Sequence, residues 1–243
     1  MNKKKLSTLL LAGVLAVGAV GGSFAWFTSN DIATNKFATP GGSDPGEEGD
    51  AGAGIEIWEN FDKETAADVT PGGDVNKDVQ FKSDVTYDQF LRVKITPQWT
   101  HLLNAELPAE PVKSEHLTLT YINLAADLEA AKNGQWILGP DNYYYYIGVV
   151  PANGYTTQLL DTVTLEGTAD NSYKNGKFDV KVDVETIQAT NGAVETWKTT
   201  GINENIIAKL MSMGVDKNTI EANRVNGTVI LDAVQVSGDV NHN

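Results

Sequence analysis

The chain of 243 residues contains no cysteine, which excludes disulfide staples, thiol nucleophiles and zinc–thiolate sites. Histidine is nearly as scarce: His101, His116 and His242 share no metal-ligand spacing, and HExxH does not occur. Basic residues are outnumbered, with 18 Lys and Arg against 32 Asp and Glu, for a formal charge of −14. That balance argues against nucleic acid and anionic lipid as partners, because neutralising phosphate needs basic patches. Beyond Val20 no apolar run is long enough to cross a membrane. The nucleophile elbow, the P-loop and the dinucleotide fingerprint are all missing. No catalytic set, no cofactor and no metal is therefore expected.

What is present begins at the N-terminus. Met1-Asn2-Lys3-Lys4-Lys5 is basic, Leu9 to Val20 is apolar, and Ser23-Phe24-Ala25 is a small-x-small exit. This order reads as a secretory signal peptide over residues 1–25, cleaved between Ala25 and Trp26; the alternative is a retained anchor. Cleavage leaves 218 residues, and the loss of Lys3, Lys4 and Lys5 takes the charge from −14 to −17. Subunits so charged repel one another until a specific contact forms.

Residues 26–39 are strand-like. They are followed by Pro40–Gly54, which holds six Gly, two Pro and four acids and cannot bury a core. We read 26–39 as a detached strand, 40–54 as an acidic linker and 55–243 as the folded domain. Alternation of period two marks Ile55–Trp58, Asp78–Val85, Gln89–Trp99, His116–Ile122, Tyr143–Val150 and Thr157–Leu165, with a shorter piece at Gln135–Gly139. The clearest case places Phe178, Val180, Val182 and Val184 against Asp179, Lys181, Asp183 and Glu185. Thr228–Val236 completes about nine strands. Helical spacing marks Leu124–Gly134 and Asn203–Gly214, the latter with Asn203 as N-cap. The expected fold is all-β, an antiparallel sandwich or jelly roll with short helical insertions and a detached N-terminal strand.

Four blocks carry a resemblance: "GVLAVGAVGGSFAWFTSN" with "NKFATPGG", "DQFLRVKITPQW", "YYYYIGVVPANGYTTQLLDTVTL" and "VKVDVETIQATNGAVETW". They are similar to the TasA/camelysin (CalY) family of biofilm matrix proteins, nearest to its BsaA-like subgroup, which are exported through a SipW-type signal peptidase of Gram-positive bacteria. The resemblance weakens over Pro40–Gly54 and Ala193–Gly227. It implies a secreted jelly-roll subunit that polymerises into extracellular fibres at the cell surface. In that family a free N-terminal strand inserts into the next subunit. The partners so implied are identical subunits forming a homopolymer, the processing peptidase, and minor fibre or anchoring proteins. No membrane contact is expected after processing.

On this reading Trp26, Phe27, Ile32 and Phe37 are the polymerisation anchors. Phe27 and Phe37 share parity, whereas Ile32 is offset by five from each and needs a bulge or a change of face. A frayed terminus is the alternative. Sandwich proteins of Gram-positive surfaces often carry lysine–asparagine isopeptide bonds. Lys36 is the candidate amine here, Asn223, Asn226, Asn241 and Asn243 the acceptors, and Asp232 or Asp239 the acid; an exposed lysine beside solvated amides is the alternative. Two further functions stay open: a camelysin-type secreted metallopeptidase, and a monomeric adhesin or glycan-binding module suggested by Tyr143–Tyr146. A packed strand with two tyrosines on each face accounts for that run without a ligand. The acidic turns at Asp44–Asp50 and Asp74–Asp78 lack the spacing of an EF-hand.

Overall fold

The computed structural model describes residues 36–37, 54–66, 69–102, 114–173, 176–190 and 192–236. The segment read as a signal peptide (1–25), Trp26, Phe27, Ile32, all but Gly54 of the segment read as a linker (40–54), Asp239, Asn241, His242 and Asn243 lie outside these residues. The described chain is mostly β. In order it forms β1 (Lys36–Phe37), β2 (Ile55–Phe61), α1 (Lys63–Ala66), β3 (Asp74–Ser83), β4 (Gln89–His101), β5 (Leu117–Tyr121), β6 (Gln135–Leu138) and β7 (Tyr144–Ile147). Then follow β8 (Leu160–Leu165), β9 (Lys177–Gln188), α2 (Glu204–Met213), α3 (Lys217–Asn223) and β10 (Val234–Val236).

Two five-stranded sheets result, in the orders β1-β9-β4-β7-β6 and β10-β2-β3-β8-β5. Every pairing is antiparallel except β1 on β9. The alternation read from sequence sets the inner faces: Leu91, Val93, Val180, Val182 and Val184 of the first sheet share a core with Ile57, Val79, Phe81 and Leu160 of the second. Burial of each such side chain contributes about 1.5–3 kcal/mol. Trp136 meets Phe81 edge-on across the layer, with ring centroids 5.8 Å apart.

The outer face of the first sheet holds a second core. Phe90, Tyr145, Ile147 and Ile187 pack under Trp197, Ile206, Ile207, Leu210 and Met213, the apolar stripe of α2 and the 3₁₀ turn before it. The tyrosine run alternates as expected, with Tyr144 and Tyr146 facing the other sheet and Tyr145 facing the helices. Neither face is left to solvent, because the helical layer covers the second one.

Asn203 stands at the N-cap of α2 but gives the helix no side-chain cap bond, since its Oδ1 accepts from the Thr199 N–H at 2.7 Å instead. The sequence reading missed α3, which Asp216 caps by accepting from the Thr219 N–H at 2.8 Å. Two expectations are corrected. Leu124–Gly134 is a run of turns rather than a helix, because Leu124 bridges to Trp136 and the Lys209 ammonium takes the carbonyls of Leu128 and Ala131 at 2.8 Å each. Thr228–Val236 is a strand only from Val234. Upstream, the Gln80 side chain ties the Thr228 carbonyl (3.1 Å) and the Ile230 N–H (2.7 Å), and Asp232 turns the chain with φ 60°.

Candidate assembly edge

β9 is the strand of the first sheet that lies beside β1. Its alternation of valine with Lys, Asp and Glu favours an extended chain with one apolar face. On one side it pairs with β4 along its whole length, from Gln188 opposite Gln89 to Lys177 opposite His101. On the other side the described residues pair with it only twice, Lys36 opposite Glu185 and Phe37 opposite Thr186, in parallel. Among the described residues β1 is the strand on that side of β9, and a strand edge is a template for adding a strand.

One row of register runs Lys36, Glu185, Arg92, Tyr145, Ile137 across all five strands. At its centre the Arg92 guanidinium donates to Glu185 Oε2 from Nε (2.9 Å) and Nη2 (2.6 Å), and from Nη1 to the Tyr145 hydroxyl (3.2 Å). The same guanidinium lies over the Tyr143 ring at 4.1 Å and the Trp197 ring at 4.8 Å. Glu185 Oε1 accepts from the Tyr143 hydroxyl at 2.8 Å. The Tyr145 hydroxyl donates to Asp141 at 2.6 Å and accepts from the Asn203 amide at 2.8 Å, and that amide also reaches the Trp197 carbonyl at 2.9 Å.

Arg92 and Glu185 are each only 13% exposed, so their mutual bonds matter more than at a surface. Burial opposes the charge on Arg92, but the hydrogen bonds to Glu185 and Tyr145 outweigh it and raise the guanidinium pKa. Burial, reinforced by the carboxylates of Glu185 and Asp141 respectively, pushes Tyr143 and Tyr145 up to about 12. Both phenols therefore stay neutral donors at physiological pH. This network anchors Glu185, the β9 residue paired with β1, to the helices behind the sheet.

The end of the sandwich next to Thr186 is polar and incomplete. Ser83 Oγ, at the end of β3, and Gln89 Oε1, at the start of β4, are buried without a hydrogen-bond partner, as is Thr190 Oγ1 just beyond β9. Gln89 reaches Thr186 through its amide nitrogen, at 3.4 Å.

The other candidates fall elsewhere. The Asn223 amide donates to the Thr219 carbonyl and its oxygen accepts from Asn133, both in the α3 region; Asn226 Oδ1 accepts from the Tyr155 N–H. These hydrogen bonds join them to other parts of the chain, whereas Lys36 sits opposite Glu185 in register. Asp232 occupies the turn before β10. His116 lies against Tyr173, with ring centroids 4.7 Å apart, and hydrogen-bonds Thr168. No group of three or more His, Asp or Glu able to hold a metal occurs among the described residues. No helix of the described residues is long and apolar enough to cross a membrane.

The residues that the sequence reading missed are Arg92, Asp141, Glu185 and Asn203. One signal was available: Arg92 is one of only two arginines in the chain, and it interrupts the apolar strand "QFLRVKI". Comparison with models of protein families, with curated proteins and with solved structures finds no match for this chain.

Proposed function

We propose that the chain is a non-enzymatic structural subunit of an extracellular fibre, of the TasA/camelysin type, built by adding one subunit's N-terminal strand to the β9 edge of the next. The observation that carries this reading is the parallel pairing of Lys36 and Phe37, from the segment read as a detached strand, with Glu185 and Thr186 of the twelve-residue β9. Continued N-terminally in the same register, Thr28–Phe37 matches Lys177–Thr186 residue for residue. That segment contains the anchors Ile32 and Phe37, and Trp26 and Phe27 immediately precede it. Backbone hydrogen bonds along a ladder of that length supply affinity, and alternate side chains supply register.

Chain chemistry favours the same assembly. A strand used head to tail is a heterologous contact and propagates as a filament instead of closing as a dimer. With the signal removed the formal charge is −17, so subunits meet only where a specific contact outweighs repulsion. Residues 26–35 carry a single charged side chain, Asp31, so presenting them to a neighbour adds little repulsion. The jelly-roll connection of the two sheets, processing at Ala25–Trp26, secretion and a covalent link from Lys36 belong to this proposal as well.

Electron microscopy of the processed chain, with and without residues 26–39, tests it. Filaments from the first and none from the second are expected. Filaments of equal length from both preparations overturn the reading.

A further inference from the structure

We infer that Tyr121 and Tyr144 form a site of oxidative cross-linking, at which a one-electron oxidant, a haem peroxidase with hydrogen peroxide, joins the two rings by a carbon–carbon bond. This site is independent of fibre formation, because both residues lie where the two sheets pack together.

Tyr121 ends β5 of the second sheet, opposite Leu160, and Tyr144 opens β7 of the first, opposite Val93 and Leu138. Period-two alternation turns Tyr144 into the core, and Tyr121 packs against that core from the other layer. Their ring centroids are 4.5 Å apart and their planes are tilted by 32°. The two hydroxyls are hydrogen-bonded to each other, so the rings lie head to head. That alignment sets the carbons ortho to one hydroxyl, where a phenoxyl radical carries unpaired spin, beside those of the other. Tyr143 and Tyr145 make a contrasting pair. Their centroids are 6.4 Å apart, and their hydroxyls donate separately to Glu185 and Asp141.

Burial first, and then the neighbouring Tyr144, raises the pKa of Tyr121; burial raises that of Tyr144. Both are therefore neutral phenols, and each gives up one electron together with one proton. The two radicals couple ortho to ortho. Each ring then regains aromaticity by moving the hydrogen at the new bond to its oxygen. Hydrogen peroxide takes up the two electrons and two protons as two waters, so the chain loses two hydrogen atoms and keeps both hydroxyls. Tyr144 is 8% exposed, yet the oxidant need not touch it. Tyr121 and Tyr143 are partly exposed, and Tyr143 adjoins Tyr144 in the chain, so oxidation at the surface passes inward by a short hop. No cysteine thiol is present to intercept the radical. The product ties β5 to β7 across the layers, and it constrains the unfolded chain as a disulfide does in other extracellular proteins.

The test treats the dilute, folded full chain with a haem peroxidase and hydrogen peroxide. The expected product is a monomer lighter by two hydrogen atoms, with dityrosine fluorescence and a proteolytic peptide pair joined at Tyr121 and Tyr144. The same treatment in urea should give less than about a tenth as much of that pair, because the rings are no longer held together. Tyr121→Phe and Tyr144→Phe keep both rings and should each abolish it; the urea comparison needs no variant and guards against misfolding of either. Cross-links that join separate chains or run through the exposed Tyr87, with none between Tyr121 and Tyr144, overturn the inference. Equal yields in urea and in buffer overturn it as well. The cross-linked monomer should also unfold at a higher urea midpoint than the parent, and an unchanged midpoint overturns its role as a staple.

Discussion

The two sheets solve the problem of exposed edges differently. The second sheet ends in β5 and β10, five and three residues long, and short edge strands offer little to an incoming chain. The first ends in β1 and β6, and the two described residues of β1 lie beside β9, twelve residues long. Their charged groups differ in the same way. The Lys77 ammonium lies between the sheets, 3.0 and 2.9 Å from the two oxygens of Glu59 and 4.8 Å from the Phe61 ring centre, with side chains 1% and 2% exposed. Arg92 and Glu185 instead lie on the helix-covered face, on β4 and on β9. One pair lies within the core shared by the two sheets, and the other ties the strand beside β1 to the helical layer.

The sharpest break of this comparison is Phe37→Asp. On the fibre reading it abolishes long filaments in electron micrographs while monomer melting shifts by no more than a few tenths of a kcal/mol, because β1 makes only two ladder pairs. Unfolding of that variant would assign Phe37 to the monomer core. Glu59→Ala attacks the other region. It removes the carboxylate that holds the Lys77 ammonium in the buried interior and should lower the urea midpoint clearly. An unchanged midpoint would mean that the pair contributes nothing to stability.

Alkali separates the regions by a different route. Tyr143 and Tyr145 have folded pKa values raised from 10.0 to about 12, so their contribution is intact below pH 10 and is lost as pH rises toward 12. Tyr146, raised to about 12 by burial between the sheets, adds to the same loss. Melting temperature should be level up to pH 10 and then fall, and a fall already complete by pH 9 would contradict these environments. The smallest expected effect is that of Arg92→Lys. An ammonium keeps the charge but loses the forked bonds to Glu185 and the stacking on Tyr143 and Trp197, for about 1–2 kcal/mol by denaturant titration. If Arg92→Lys matches the parent, the fork and the stacking contribute nothing.

Much of the architecture was legible before any coordinates. Period-two runs located β2, β3, β4, β5, β7, β8 and β9, because half-buried strands must alternate, and Ile206, Ile207, Leu210 and Met213 located α2 by helical spacing. Leu124–Gly134 misled because its alanines and leucines fit a helix locally, yet its carbonyls bond Lys209, which is distant in sequence. The tyrosine run misled in a milder way. Alternation assigns faces, but only the packing of α2 decided that both are buried.

The sequence by itself determined that this is a cysteine-free, strongly acidic, mostly β chain whose valine-rich strand Lys177–Gln188 would be long and two-faced. Those properties follow from composition and from periodicity, which act residue by residue. Only the tertiary structure decided that Arg92, Glu185, Tyr143, Tyr145, Asp141 and Asn203 meet, that Lys77 and Glu59 share the core, and that Lys36 and Phe37 lie beside β9. Strand order and long-range pairing depend on which faces the whole chain can bury together, and no local pattern encodes that.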